Sequence, residues 1–576
     1  MFRLLPIQIL LALVGSINGI VSGYFASNYV GIDAMSAVAL YSPLSMLLGA
    51  IYTILAGGCA IICGKYLGSN QQEKLQEVFS LDLMLSTAIS VLFVAAFAGM
   101  SLFDLTGIFT EDAVLRPIFN RYLLGQAIGL LPLFLGNQLP AFLSMENRSN
   151  RTMLASLIYI VVNVILNYVF VQILRLEEFG LSLASSLGMW IFLLVQAQYF
   201  FSKDSMLKIR LGNISWKRCG EIIRIGFPGA ASMLYQTARG FIVNALLTAY
   251  TGSIGLSAFA SANNIMSFFW AIPGGMLAVS RLLISVSVGE EDRRTLCDIF
   301  KVMFACYIPL MIAVDVLIIL SAGPLASIYF KDVTSLVHIW TASCLRILPL
   351  CMSFSIIMMH FACYGQTSNK QVFVNVLSLL DGAVCVCLFS WLLIGKMGVR
   401  GVAWANVLNG VVTTLYIILY ACFMKKRFPR NMDDLLVIPD DFGVSEDERI
   451  DLNLTSMDEV VRIAERIQNF CKEKGVDDRR AYLAGLAMEE MAGNVIEHGF
   501  HKDNKKHSVD IRVAHKNDDI ILRIKDDCVP FDPKERNKIT AGDDLVKNIG
   551  IRMTYQMSDD ISYQNILGLN VLTIRI

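Results

Sequence analysis

Charge is what this sequence has least of. Only 17% of its 576 residues are Asp, Glu, Lys or Arg, against 55% apolar, and mean hydropathy is +0.57. Soluble domains sit nearer ~25% charged and ~45–50% apolar, so a purely soluble protein and a disordered chain are both excluded. A net charge is missing too, but the formal zero is a sum of unequal parts. Residues 1–430 hold 28 Lys/Arg and 19 Asp/Glu, net +9, and residues 431–576 hold 20 and 29, net −9. Charged positions number 47 of 430 in the first part and 49 of 146 in the second, which marks a domain boundary by composition alone. No CxxC pair occurs among the 13 cysteines, and Cys59, Cys63, Cys306, Cys385 and Cys387 lie in apolar runs. They read as small hydrophobes, and neither a disulfide framework nor a structural zinc site is expected. No cleavable signal peptide is expected either, because the first apolar run lacks an A-x-A-like cleavage site and many more runs follow.

A bilayer core of ~30 Å takes about 20 apolar residues per helix. Twelve such stretches are read near 4–27, 37–63, 80–103, 118–143, 153–174, 180–201, 226–250, 255–288, 297–322, 337–363, 372–395 and 401–424. Most Lys and Arg between them fall at the N-terminus, in even-to-odd loops, or just after the last span (Lys425, Lys426, Arg427, Arg430). By the positive-inside rule, both termini and the acidic tail are expected in the cytoplasm. An ungapped shift of 221 residues places Tyr29 on Tyr250, Gly31 on Gly252, Ser36 on Ser257, Gly68 on Gly289, Leu75 on Leu296 and Phe79 on Phe300. The expected fold is therefore an all-α polytopic membrane domain of twelve transmembrane helices, as two six-helix parallel repeats near 1–205 and 220–424. Repeats of this kind build transporters whose site lies between the halves near the midplane.

The stretches "INGIVSGYFASNYVGIDAMSAVAL" (17–40), "GGCAIICGKYLGSNQQEKLQEVFSLDL" (57–83), "MENRSNRTMLASLIYIVVNVILNYVFV" (145–171) and "GVRGVAWANVLNGVVTTLY" (398–416) resemble the multidrug and toxic compound extrusion (MATE) family over residues 1–428. The resemblance implies export of small amphipathic organic substrates across a lipid bilayer in exchange for H+ or Na+. It also exposes departures. Ser22 stands where the family usually has an intramembrane Asp, and Asn163-x-x-x-Asn167 stands where it often has N-x-x-x-D. Neutral oxygens can ligate Na+ but carry no proton. Asn163 and Asn167 share a helix face and equally suit interhelical hydrogen bonding. Charges in the apolar runs fall mostly in the second half: Arg239, Arg281, Asp315, Arg346 and Asp381. Buried charge is costly, so each is a cavity candidate, with a structural Arg–Asp pair or a snorkelling Arg as the alternative.

Residues 429–448 read as a polar linker, and 449–576 as soluble α/β. "RIDLNLT" alternates as a strand, 456–474 and 478–498 as amphipathic helices, "SVDIRVAHK" and "DIILRIKDD" as a pair joined at Asn517–Asp518, and "DISYQ" with "LNVLTIRI" as another. "LAMEEMAGNVIEHGF" (486–500) puts Glu490, Asn494 and His498 on one helix face, and "IKDDCVPFDP" (524–533) ends a strand with acids before turning at Pro530 and Pro533. In this order the two boxes resemble the GHKL histidine kinase-like ATPases, an α/β sandwich of the Bergerat type, and most closely the anti-sigma-factor serine kinases. The resemblance implies ATP and Mg2+ as cofactors. Glu490 would be the catalytic carboxylate, Asn494 the Mg2+ ligand and Asp526 the reader of the adenine amine, with His498 and Gly550 beside the nucleotide. It also implies a small soluble anti-anti-sigma-like partner. Cys528 stands where the family has Gly, and the lid "AGDDLVKNIGIRM" (541–553) keeps only Gly542 and Gly550. The overall expectation is a MATE-type exporter with a cytoplasmic kinase-like domain. The alternative is a membrane sensor signalling through that domain. Nucleic-acid binding is not expected, because the soluble part is acidic.

Overall fold

The computed structural model describes the chain apart from residues 1–4, 26–28, 31, 110–113, 204, 210–215, 441, 445–446, 501–506, 517, 530–548 and 567. It divides into two compact units, the first Met1–Ser144 and Arg148–Ile438, the second Met145–Asn147 and Pro439–Ile576.

In hydrocarbon every backbone group must be satisfied internally, and the apolar runs of the first unit accordingly fold as helices. They are Leu5–Phe25, Ile32–Gly68, Gln72–Leu102, Leu115–Met145, Ser149–Ile173, Glu177–Phe200, Arg218–Gly289, Arg293–Leu320, Leu336–Thr367, Gln371–Met397 and Val399–Lys425. Among the described residues nine are long and apolar enough to cross a membrane. The bent pair Leu336–Ile347 and Leu350–Thr367, turned by 43°, makes ten. The twelve runs of the sequence do not emerge as twelve separate helices. Arg218–Gly289 counts once although Gly252 breaks it, and Leu5–Phe25 falls outside the count. Gly252 has φ 66° and ψ −168°, a conformation open essentially to glycine alone.

The internal repeat has a structural signature. A Cβ on Gly68 would lie 2.2 Å from the Val286 carbonyl oxygen, and one on Gly289 would lie 2.1 Å from that of Lys65. The 221-residue shift carries Gly68 to Gly289 and Lys65 to Val286. These are one contact seen from both sides, as a two-fold relation between halves requires. Alanine at either glycine would force the backbones apart and is expected to cost about 1–3 kcal/mol. Thermal unfolding of the detergent-solubilised chain measures this. Gly99→Ala, which meets nothing within 4 Å, serves as the control, and an unshifted midpoint in both variants would contradict the contact.

The stretch expected as a polar linker is in part folded. Met432–Leu436 is a short helix capped by Asn431, whose side chain accepts from Asp434 N. Lys370 Nζ donates to the Leu436 and Val437 carbonyls at 2.7 and 2.8 Å, and Lys425 Nζ to that of Ile438 at 3.0 Å. Arg427 donates to both oxygens of Asp434 at 2.9 and 3.1 Å and holds its carboxyl below the usual range. Two of the acids that made the stretch look like solvated linker, Asp433 and Asp434, pair with Arg293 and Arg427 at helix ends.

The second unit is an antiparallel sheet with helices on one face. Its strands β1 (Arg449–Leu454), β2 (Val509–Lys516), β3 (Asp519–Asp526), β4 (Asp560–Ile566) and β5 (Leu569–Arg575) run in the order β1-β2-β3-β5-β4. Helices Val460–Glu473 and Asp478–Gly499 cover it, as the periodicity predicts. Val460, Ile463, Ala464, Ile467 and Phe470 are all buried against the sheet residues Val509, Ile511, Val513, Ile520, Leu522 and Ile524. The β2–β3 turn needs a left-handed residue, and Asp518 supplies it at φ 72°.

Candidate functional site

In the second half of the membrane unit, three of the charges singled out in the sequence converge. Asp381 lies in a π-helical turn, Leu380–Val384, within the helix Gln371–Met397, a local widening common at functional positions. Its Oδ1 accepts from Asn409 Nδ2 at 2.9 Å, and Arg239 Nη1 donates to its backbone carbonyl at 3.4 Å. Asp315 is buried, and its Oδ2 accepts from Ser353 Oγ at 2.9 Å while Oδ1 has no hydrogen-bond partner. Asp381, Asp315 and Arg239 lie within electrostatic reach of the Cys351 thiol. Two carboxylates and one guanidinium therefore share a region built from five helical segments, in which Arg239 bonds to the backbone carbonyl of Asp381.

The remaining candidates of this unit lie elsewhere. Asn163 and Asn167 are buried and bond to each other. Asn167 Nδ2 donates to the Asn163 backbone carbonyl at 2.8 Å and to its Oδ1 at 3.2 Å, and among the described residues Asn163 Nδ2 and Asn167 Oδ1 have no hydrogen-bond partner. The bonds described between the two asparagines are within one helix. Ser22 belongs to helix Leu5–Phe25, and its side chain lies outside the described residues. Arg346 sits in the last turn of Leu336–Ile347, exposed, with no ion pair among the described residues. Sequence reasoning missed Asp82. It is fully buried in the helix Gln72–Leu102, with no nitrogen or oxygen donor on either carboxylate oxygen and the Cys59 thiol as its polar neighbour. The signal available was an acid inside an apolar run.

In the second unit the helix Asp478–Gly499 presents Glu490 and Asn494, both half-buried, while His498 is exposed one turn on. Asn494 Nδ2 donates to the Glu490 backbone carbonyl at 2.6 Å, so Oδ1 is the amide atom turned away from the helix backbone. The alternation of β3 buries Ile520, Leu522, Ile524 and then Asp526 on one face, the face the helices cover. Asp526 Oδ1 accepts from Asn570 Nδ2 at 2.8 Å and from Cys528 N at 3.0 Å. Burial pushes this carboxyl up from the usual range, and the Cys528 thiol also bonds to it. Asn570 was not singled out in the sequence. It is buried on β5 opposite Asp526, accepts from Tyr563 Oη and Asn565 Nδ2 at 2.9 Å each, and also donates to the Cys528 carbonyl. Cys528 packs on the C-terminal end of the Glu490 helix, because Gly499 leaves room there: a Cβ at Gly499 would lie 3.0 Å from its Sγ. The structure thus brings Asp526 and Cys528 to the end of the helix carrying Glu490 and Asn494. Gly550 opens the helix Ile549–Met557. The turn at Pro530 and Pro533 and the lid up to residue 548 lie outside the described residues.

These features suit a magnesium nucleotide. A buried carboxylate pinned through one oxygen can read an exocyclic amine, and an amide oxygen held off a helix can ligate a hard cation.

Comparisons with known proteins match both units. The MatE family profile matches residues 8–169 and 228–392, and that of the histidine kinase-like ATPase domain matches 453–576. The chain is similar to "Probable multidrug resistance protein NorM" of Halalkalibacterium halodurans, 26% identical over 347 residues, covering 58% of this chain and 73% of that protein. It is also 26% identical to the protein of the same name from Bacillus subtilis, over 43% of this chain and 56% of that one. Among solved structures, an outward-facing multidrug resistance MATE family transporter of the MOP superfamily superposes with TM-score 0.67 at 21% identity, over 73% of this chain and 94% of the other. A MOP superfamily transporter from Pyrococcus furiosus, described as having a binding pocket of reversed polarity, superposes with TM-score 0.66 at 21% identity, over 72% and 94%. The chain belongs to the MatE family and carries a histidine kinase-like ATPase domain at residues 453–576.

Proposed function

We propose that this protein is a cation-coupled exporter of small organic compounds. In this reading its coupling site is in the second half, at Asp381 and Asp315 beside Arg239, and its termini are cytoplasmic. The observation that carries the reading is the convergence of those three charges, together with the neutral Asn163–Asn167 pair where the family often has an acid. A cation bound between the carboxylates would compete with Arg239 for Asp381, so occupancy and helix arrangement become linked. The test is ethidium efflux from proteoliposomes under imposed proton or sodium gradients. Efflux that follows either gradient supports the reading, and efflux indifferent to both sinks it. A membrane sensor is the second reading. The folded Met432–Leu436 segment favours it, because residues 370, 425 and 427 fix the chain where the first unit ends.

For the C-terminal domain we propose Mg-ATP binding and slow phosphotransfer to a serine of a small anti-anti-sigma-like protein. ATP supplies the phosphoryl group. Asp526 would read the adenine amine, Asn494 Oδ1 would hold Mg2+ against the phosphates, and Glu490 would orient the accepting hydroxyl. Positioning and charge neutralisation are most of what phosphoryl transfer asks of a protein. Cys528 is the obstacle, since its thiol bonds to the carboxylate the base would meet. Cys528→Gly is expected to tighten nucleotide binding by about 0.5–1.5 kcal/mol, roughly 2–12-fold, the worth of one competing hydrogen bond. A fluorescent ATP analogue titrated into the full chain, stripped of transition metals, reads this out.

A further inference from the structure

One group of ligand-type side chains in the second unit meets the nucleotide reading only at Cys528, and that reading gives its other two members no role. The register of β2 on β3 pairs Val509 with Asp526, and extending it two residues sets His507 opposite Cys528. His507 and Cys528 are both buried and Asp527 is exposed between them. His507 Nδ1 lies 2.8 Å from Asp527 Oδ1, and the Phe500 ring covers the imidazole at 5.6 Å between centroids. One imidazole nitrogen, one carboxylate oxygen and one thiol sulfur lie within 4.8 Å of one another.

This donor set discriminates among cations. Magnesium and calcium take oxygen ligands, whereas nitrogen with sulfur selects zinc and its neighbours. Zinc sits about 2.0–2.3 Å from such donors, which sets them roughly 3–4 Å apart. The histidine and the aspartate are already closer than that, and the cysteine has only a short way to move. A thiolate and a carboxylate together offset the 2+ charge, and three protein ligands leave one tetrahedral position for solvent or a ligand. In the metal-free state the proton between His507 and Asp527 occupies the place the cation would take.

We propose that His507, Asp527 and Cys528 form a binding site for a zinc-type divalent cation. The ion would clip the start of β2 to the end of β3. The site is independent of the nucleotide reading, although it takes up the thiol at the edge of that pocket. A CxxC search does not find it, because its ligands come from two strands joined by a hairpin.

The experiment uses the full chain in detergent, stripped with a chelator and titrated with Co2+. The expected result is one ion per chain, with a near-ultraviolet thiolate-to-cobalt charge-transfer band and tetrahedral visible bands, both bleached by Zn2+. Cys528→Ser removes the charge-transfer band. His507→Ala and Asp527→Asn each weaken binding at least about 10-fold, the loss typical even of groups that only support a metal ligand. Circular dichroism shows whether each variant is folded, and three separate substitutions guard against one that is not. No thiolate band in the wild type, or a band that survives Cys528→Ser and so belongs to one of the other twelve cysteines, overturns the proposal.

Discussion

Asp381→Asn is expected to abolish gradient-driven efflux while leaving the fold intact. Asparagine keeps the size and can still meet Asn409, which now donates at 2.9 Å to Oδ1. It cannot bind a proton, and it holds a metal cation with a neutral dipole in place of a charge. Charge-assisted contacts are worth about 1.5–3 kcal/mol, so cation affinity should fall on the order of 10–150-fold. The comparison is efflux under a fixed gradient against sodium or proton concentration, with Asp315→Asn as the second substitution. Ser22→Ala and Asn167→Ala should change the driving ion little, since neither side chain titrates. Wild-type rates in both aspartate variants, with loss on Asn167→Ala, would move the coupling site to the first half.

Asn494→Ala should remove Mg-dependent nucleotide binding, and Glu490→Ala should spare binding while removing turnover. The two residues are one helical turn apart, the Asn494 side chain donating to the Glu490 backbone carbonyl, yet their side chains are assigned different atoms of the reaction. Losing a metal ligand costs at least the ~10–100-fold that losing its supporting partners costs. Losing a group that positions a nucleophile costs about 10²–10⁴ in rate. Phosphate release from Mg-ATP, with water standing in for the serine hydroxyl, separates the two without the protein partner. Equal loss of binding in both variants would reduce Glu490 to a structural residue. Retained Mg-dependent binding in Asn494→Ala would remove the assigned metal ligand.

Local pattern made the elements legible. Apolar runs long enough to span a bilayer became helices, and two-residue alternation in "DIILRIKDD" became a strand whose inner face ends in Asp526. Alternation places that acid inward without any knowledge of tertiary structure. The limit of such reading is partnership across the chain. Nothing near residue 570 says that its side chain will hold a carboxylate 44 positions earlier, and nothing near residue 433 says that helix ends will bind the acids there. Asp82 was visible as an acid among apolar residues, but its complete burial is set by neighbouring helices. Arg346 was expected to line the same cavity as Arg239; it stands exposed at the bend between Leu336–Ile347 and Leu350–Thr367, a bend that spacing along the span does not announce.

The exchanged glycine contacts have a consequence beyond packing. When Gly68 meets Val286 and Gly289 meets Lys65, and the repeat shift swaps one pair for the other, the surface joining the halves is self-complementary in the way of an isologous dimer interface. Two copies of a single six-helix half would offer one another the same surface. Covalent fusion then frees each copy to diverge, and here they have diverged in chemistry: the first half holds the neutral Asn163–Asn167 pair and the buried acid Asp82, while the second gathers Asp315, Asp381 and Arg239.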